Sequence, residues 1–149
     1  MFSRKTDEWS TPRDFFRALD VEFCFLLDAA ATRENRLCAE YRGPDHLRPE
    51  CRSGLVFDWA ESTYCNPPYS MCRAFIAKAA QEARRGCTVV CLVPSRTDTR
   101  WWHDEVYDAH TRQYRPGVEV RFVKGRLKFG GSTNSAPFPS VVVIFRPCP

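Results

Sequence analysis

The sequence predicts an α/β layer fold built on a mostly parallel sheet, with an antiparallel hairpin at its C-terminal edge. Three features lead there. Strand-like apolar runs alternate with amphipathic helical segments along the 149 residues, the order that βαβ units require. Residues 21–27, 88–93 and 140–145 are nearly continuous apolar runs, as in strands covered on both faces. The last two strand candidates, residues 118–123 and 140–145, have no helical segment between them and so pair antiparallel.

Taken in order, residues 1–9 read as a mobile arm. Thr11-Pro12-Arg13-Asp14 opens a helix: Thr11 offers a capping hydroxyl, Pro12 suits the first helical position, and Asp14 stands where a capping box has its acid. Phe15, Phe16 and Leu19 give this helix an apolar face, and it ends near Asp20. Residues 21–27 form the first strand, with Asp28 at its carboxyl end, where open α/β sheets bind ligands. A cap or a surface turn is the plainer role for Asp28. Ala29-Ala30-Ala31 follows, small side chains that admit a ligand to the backbone, though less freely than glycine. Thr32 caps a short helix to about Tyr41, which Gly43-Pro44 stops, and residues 42–54 are loop. Leu55-Val56-Phe57 and Thr63-Tyr64-Cys65 are short strands. Residues 71–85 form an amphipathic helix ended by Gly86. After the strand at 88–93, Thr97 or Asp98 caps a helix bearing Trp101, Trp102, Val106 and Tyr107, and a polar loop reaches Pro116-Gly117. The strand at 118–123 leads to the basic turn Lys124-Gly125-Arg126, and Leu127-Lys128-Phe129 begins a hairpin arm. Residues 130–139, rich in Gly, Ser, Asn and Pro, read as mobile.

Composition bounds the function. A length of 149 residues suits one domain with a real core, and 44% hydrophobic with 27% charged residues excludes a disordered chain. No apolar run nears the roughly 20 residues that cross a bilayer. The first residues lack the apolar centre of a signal peptide, so the sequence reads as cytoplasmic and without a membrane partner. The 8 Cys lie largely inside apolar patterns, where they act as small hydrophobes, and none forms the C-x2-C pair of a zinc site; no metal is expected. Net charge is +4 but uneven: residues 1–70 carry 9 basic and 12 acidic groups, residues 71–149 carry 13 and 6. A basic second half suits a phosphate-backbone partner, as it also suits an ordinary solvated surface.

The most informative stretch is Asn66-Pro67-Pro68-Tyr69. Two consecutive prolines continue neither a strand ladder nor a helix, so this is a stiff loop at a strand end. It displays an amide, an acceptor carbonyl and an aromatic ring in one arrangement, a set that grips a flat group bearing an NH2. A plain Pro-Pro turn with a surface tyrosine is the bland alternative.

Together with Glu8-Trp9-Ser10-Thr11-Pro12, the Phe25 to Thr32 segment, residues 92–101 and residues 124–131, this loop resembles the amino-group methyltransferases that use S-adenosylmethionine. The closer resemblance is to the short DNA N6-adenine methyltransferases of phages and prophages, and it covers nearly the whole chain. It implies a compact Rossmann-like methyltransferase fold acting on double-stranded DNA, either beside a restriction nuclease or on the protein's own genome. It further implies that Asn66 and the Pro67 carbonyl accept hydrogen bonds from the adenine amine within a catalytic set of Asn66, Pro67, Pro68 and Tyr69. Tyr69 would stack on the flipped base. Asp28 and Thr11 would hold the cofactor's methionine end, Pro12 would shape that wall, and Ala29 would belong to the same cofactor-binding set. Asp45 or Asp58 would bind its ribose, the two not being separable. Phe129 is a second aromatic wall or a core residue. Arg96, Arg100, Lys124, Arg126 and Lys128 are candidate DNA contacts. One departure stands out: Ala29-Ala30-Ala31 replaces the usual glycine-rich turn. The same loop also occurs in enzymes that methylate RNA adenine or protein glutamine, and a non-catalytic nucleic-acid-binding relative is a further alternative.

Overall fold

The computed structural model describes residues 9–130 and 135–148. Its strands are β1 Leu27–Asp28, β2 Glu40–Tyr41, β3 Ser62–Cys65, β4 Thr88–Pro94, β5 Tyr107–Asp108, β6 Gln113–Tyr114, β7 Val118–Phe122 and β8 Ser140–Phe145. Its helices are α1 Arg13–Phe23, α2 Cys72–Arg84 and α3 Arg100–Glu105. Six strands form one sheet in the order β2-β1-β3-β4-β8-β7, and β5 and β6 make a separate hairpin. Strands β1 to β4 pair in parallel. Strand β8 is antiparallel to both neighbours, so β7 points the same way as β1 to β4. The expected mostly parallel sheet with an antiparallel C-terminal edge is therefore present.

The continuous apolar runs of β4 and β8 have the predicted cause. Val89, Cys91, Val93, Val141, Val143 and Phe145 face α2 and α3, while Val90, Leu92, Val142 and Ile144 face Phe16 and Leu19 of α1. Full burial of each large side chain contributes about 1.5–3 kcal/mol. Beneath α2, the buried Glu82 carboxylate accepts the Trp59 N–H and pairs with Arg85 at 2.9 Å and Lys78 at 3.5 Å. Burial by itself raises the Glu82 carboxyl; Arg85, the Trp59 N–H and Lys78 outweigh it and hold the group below its ordinary value. This clamp fastens the 54–61 loop to the helix.

Several sequence expectations give way, each for a local physical reason. The first helix runs on to Phe23 through residues expected in a strand; Cys24 closes it at φ 51°, and Asp20 accepts the Phe25 N–H at 2.8 Å. Val21 is then 85% exposed, and only Leu27 and Asp28 remain as strand. Thr11 does not cap this helix, nor does Pro12 start it, because the chain before Arg13 is drawn across the sheet end. The helix expected to Tyr41 stops after one turn. Asp28 Oδ2 accepts the Leu37 N–H at 3.0 Å, which withdraws that donor from a helical ladder, and the chain enters β2. Leu55-Val56-Phe57 is a turn wrapped around Trp59, whose indole N–H reaches the Gly54 carbonyl at 2.7 Å. Tyr107 belongs to the β5–β6 hairpin and not to a helix. Leu127-Lys128-Phe129 is not a strand, and Phe129 is buried in the core. Of the segments read as mobile, residues 1–8 and 131–134 lie outside the described residues. Trp9, Ala136 and Phe138 are packed in place.

After β1 the chain turns outward to β2, and after β3 it crosses by α2 to β4 on the other side. The sheet therefore has its topological switch between β1 and β3, where a crevice opens beyond the strand carboxyl ends. Gly54 closes that crevice against Ala29: a Cβ on Gly54 would lie 2.1 Å from the Ala29 carbonyl oxygen and 2.8 Å from a Phe75 ring carbon. Gly54→Ala is expected to lower the unfolding free energy by about 1–3 kcal/mol through overpacking, as measured by urea denaturation.

Candidate active site

The crevice is a cavity of about 340 Å³. Asp28, Ala29, Ala30 and Ala31 line it from the end of β1, Asn66 and Pro68 from the end of β3, and Met71 and Phe75 from the start of α2. Gly43 and Gly54 complete it from the opposite loop. Each backbone lies against an alanine carbonyl so closely that no Cβ fits.

Asp28 is the one carboxylate among the described residues lining the cavity, and it is 2% exposed. Burial pushes its carboxyl up to about 7, and the Leu37 and Ala30 N–H groups oppose that shift without cancelling it. A buried carboxylate with no basic side chain hydrogen-bonded to it suits a ligand that brings a cation.

Asn66 follows β3 directly. Its Nδ2 donates to the Trp9 carbonyl and, at 3.1 Å, to Thr11 Oγ1. A carbonyl only accepts, so the amide must turn its NH2 towards Trp9. That leaves Oδ1 with no hydrogen-bond partner among the described residues. Thr11 Oγ1 also shares a hydrogen bond with the buried Tyr64 hydroxyl at 2.8 Å. Thr11 therefore lines the cavity, as the resemblance implies, but its hydroxyl is engaged by Asn66 and Tyr64. Pro12 lies in an adjoining cleft with Arg13 and Glu34. The Pro68 carbonyl accepts the Met71 N–H at 2.9 Å, which turns the chain into α2, while the Pro67 carbonyl has no partner among the described residues. The loop thus carries two acceptors with no partner among the described residues, Asn66 Oδ1 and the Pro67 carbonyl; Asn66 lines the cavity, whereas Pro67 is buried and is not among its lining residues.

Tyr69 stands beside them in an aromatic cluster. Trp9 stacks on it at 6.1 Å between ring centroids, and Phe138 meets it edge-on at 4.8 Å. Phe129 is 3% exposed and lies behind Trp9 at 5.7 Å, a core position rather than an open wall.

Neither candidate ribose acid lines the cavity. Asp45 accepts the Arg33 N–H at 2.9 Å and the Tyr41 hydroxyl at 3.3 Å, and Asp58 pairs with Arg85 at 3.6 Å on the outer surface. The basic candidates gather at the same edge of the sheet as Asp28 and Asn66. Arg96 and Arg100 follow β4, and Lys124, Arg126 and Lys128 follow β7, all beyond the carboxyl ends of strands that point one way. These five are exposed and form no ion pair among the described residues.

Sequence reasoning assigned no site role to Trp9, Tyr64, Asn35, Gly43 or Gly54. Trp9 stands within one of the stretches that carry the resemblance, and the two glycines read as simple punctuation of a loop.

Residues 2–149 match the family described as DNA N-6-adenine-methyltransferase (Dam). A DNA N-6-adenine-methyltransferase of Escherichia phage T1 is 30% identical over 99 residues, which cover 64% of this chain and 39% of the phage protein. The matched stretch thus spans less than half of that relative's length. The family match, by contrast, takes in the segment before α1, the Asn66 loop and the last strand alike, and on that extent the chain belongs to the DNA N-6-adenine-methyltransferase (Dam) family.

Proposed function

We propose that this protein transfers a methyl group to the N6 amino group of adenine in double-stranded DNA, with S-adenosylmethionine as donor. The observation that carries this reading is Asn66: its NH2 is engaged by Trp9 and Thr11, which leaves Oδ1 as an acceptor beside the cavity.

The cavity's donor set fits that cofactor. Asp28 would take the ammonium of the methionine end, the Ala29-Ala30-Ala31 floor leaves room for the chain, and Phe75 and Met71 offer apolar surface to the adenosine. When bound, S-adenosylmethionine supplies an electrophilic sulfonium methyl. Asn66 Oδ1 and the Pro67 carbonyl would each accept a hydrogen bond from one N–H of the adenine amine. As the N–CH3 bond forms, the donor's S–CH3 bond would break to leave the thioether S-adenosylhomocysteine, and the nitrogen would then lose one proton to solvent. Two acceptors in that arrangement draw the nitrogen lone pair out of the ring system and aim it. They also favour the positive charge that develops on the nitrogen as it is methylated. Positioning of this kind supplies much of an enzymic rate. A duplex adenine must first leave the stack at a cost of a few kcal/mol, which an aromatic face at Tyr69 offsets in part. The unpaired basic groups at the same edge would neutralise backbone phosphates.

Three outcomes test this reading. Asn66→Ala is expected to lose at least about 100-fold in the rate of labelled methyl transfer to DNA while still binding the cofactor by calorimetry. A fully active variant, or transfer to RNA or protein with none to DNA, would overturn the proposal. Asp28 sets a pH dependence. Its folded value, about 7, lies above the ordinary carboxylate value, so the unliganded fold holds this proton more tightly than the unfolded chain. Stability accordingly falls as pH rises from about 4 to about 7, whereas an ammonium ligand requires the ionised carboxylate. Cofactor affinity should rise between about pH 6 and about pH 8, with proton release near neutrality seen as buffer-dependent heats, and Asp28→Asn should remove both effects. Replacing Lys124, Arg126 and Lys128 together by alanine should weaken binding to all duplexes and flatten the slope of log affinity against log salt by about 2–3.

A further inference from the structure

One face of Tyr69 is covered by a second aromatic ring. The Trp9 indole lies on it with centroids 6.1 Å apart and planes 21° from parallel. A base held between two rings needs about 7 Å, two aromatic contacts of about 3.5 Å each, so the observed spacing admits none. The backbone around Trp9 is fixed at several points. The Trp9 carbonyl accepts from Asn66, the Ser10 carbonyl accepts the Gly130 N–H at 2.9 Å, and Ser10 Oγ accepts from Asn35 at 3.3 Å. Thr11 is tied to Tyr64. The indole is thus carried, partly buried, on a held strap, with ring contacts to Tyr69, Phe129 and Phe138. Phe129 and Phe138 pack edge-on against the indole at interplanar angles of 67° and 84°, and Phe138 also meets Tyr69 edge-on at 4.8 Å, so among the described residues Trp9 is the ring that lies near-parallel to Tyr69.

We infer that Trp9 is the second wall of the base slot. Its ring rests on Tyr69 while the slot is empty, and the flipped adenine enters between the two rings and is stacked on both faces. Its carbonyl meanwhile keeps Asn66 aimed at the adenine amine. This inference rests on the DNA-adenine reading above.

The test compares Trp9→Phe, Trp9→Leu and Trp9→Ala, all checked for folding by thermal melting. The substrates are two duplexes carrying a site that the wild-type protein methylates, one with the target adenine paired and one with it mismatched. A stacking wall predicts that Phe retains most of kcat/KM on the paired duplex, while Leu and Ala lose at least about tenfold. It also predicts a smaller loss on the mismatched duplex, where the base is already partly free of the stack. Should the alanine variant fail to fold, the Phe and Leu pair decides, since both fill the space with apolar atoms and only Phe can stack. Leu equal to Phe, or equal losses on the two duplexes, would assign Trp9 to packing alone and overturn the inference. Absence of wild-type methyl transfer to any DNA would instead overturn the proposed function itself.

Discussion

The hold on the Asn66 amide is the constraint on which the rest of the site depends. A side-chain amide has an acceptor end and a donor end of nearly equal size, and at a strand end nothing local chooses between them. Here the choice is made by Trp9 and Thr11, 57 and 55 residues earlier in the chain. An acceptor-only carbonyl and a hydroxyl already shared with the buried Tyr64 fix the NH2, and the oxygen is left for a partner that donates. The strap is held in turn by the Gly130 and Asn35 contacts, so one hydrogen-bonded segment ties the cavity, the Asn66 loop and the aromatic cluster together. Trp9, which the sequence places in a mobile arm, and Thr11 thus orient the Asn66 amide.

Sheet direction accounts for what surrounds that group. Five of the six strands of the sheet point one way because β8 alone is reversed, and this brings the end of β7 to the same edge as those of β1, β3 and β4. The edge acquires two electrostatic characters. Inside the crevice lies Asp28, the one carboxylate among the described residues lining it, with no basic side chain paired to it among them. Outside it lie five exposed basic side chains that also lack acidic partners among the described residues. The basic excess of the second half is more specific than its count. Lys78, Arg85, Arg115, Arg121 and Arg146 are paired with acids elsewhere, whereas five of the basic groups that form no ion pair among the described residues flank the crevice.

Much of the fold was legible wherever burial alone dictates structure. Strands β4 and β8 fall within a residue of their predicted ends, because a run covered on both faces needs no polar positions and announces itself as continuous apolar sequence. Helix α2 is legible for the complementary reason, a stripe of Phe75, Ile76, Ala79, Ala80 and Ala83 at helical spacing. Three of the misread segments share a cause that periodicity does not carry. In these, an acid takes a backbone N–H: Asp20 from Phe25, Asp28 from Leu37, Glu82 from Trp59. Each capture costs a helix or strand one donor of its ladder, and the chain takes another course.

The site divides along the same line. Two prolines after a strand enforce a rigid acceptor-bearing loop whatever surrounds them, so Asn66-Pro67-Pro68-Tyr69 could be read from residue chemistry, as could an acid placed at the carboxyl end of β1. Other features arise from residues far apart in the chain and have no local pattern. They include which acid faces the cavity, why Asp45 and Asp58 do not, which way the Asn66 amide points, and that Trp9 rather than Phe129 lies on Tyr69. Backbone stiffness is a property of neighbours in sequence; orientation and enclosure are properties of neighbours in space, and those exist only once the sheet has brought the strand ends to one edge.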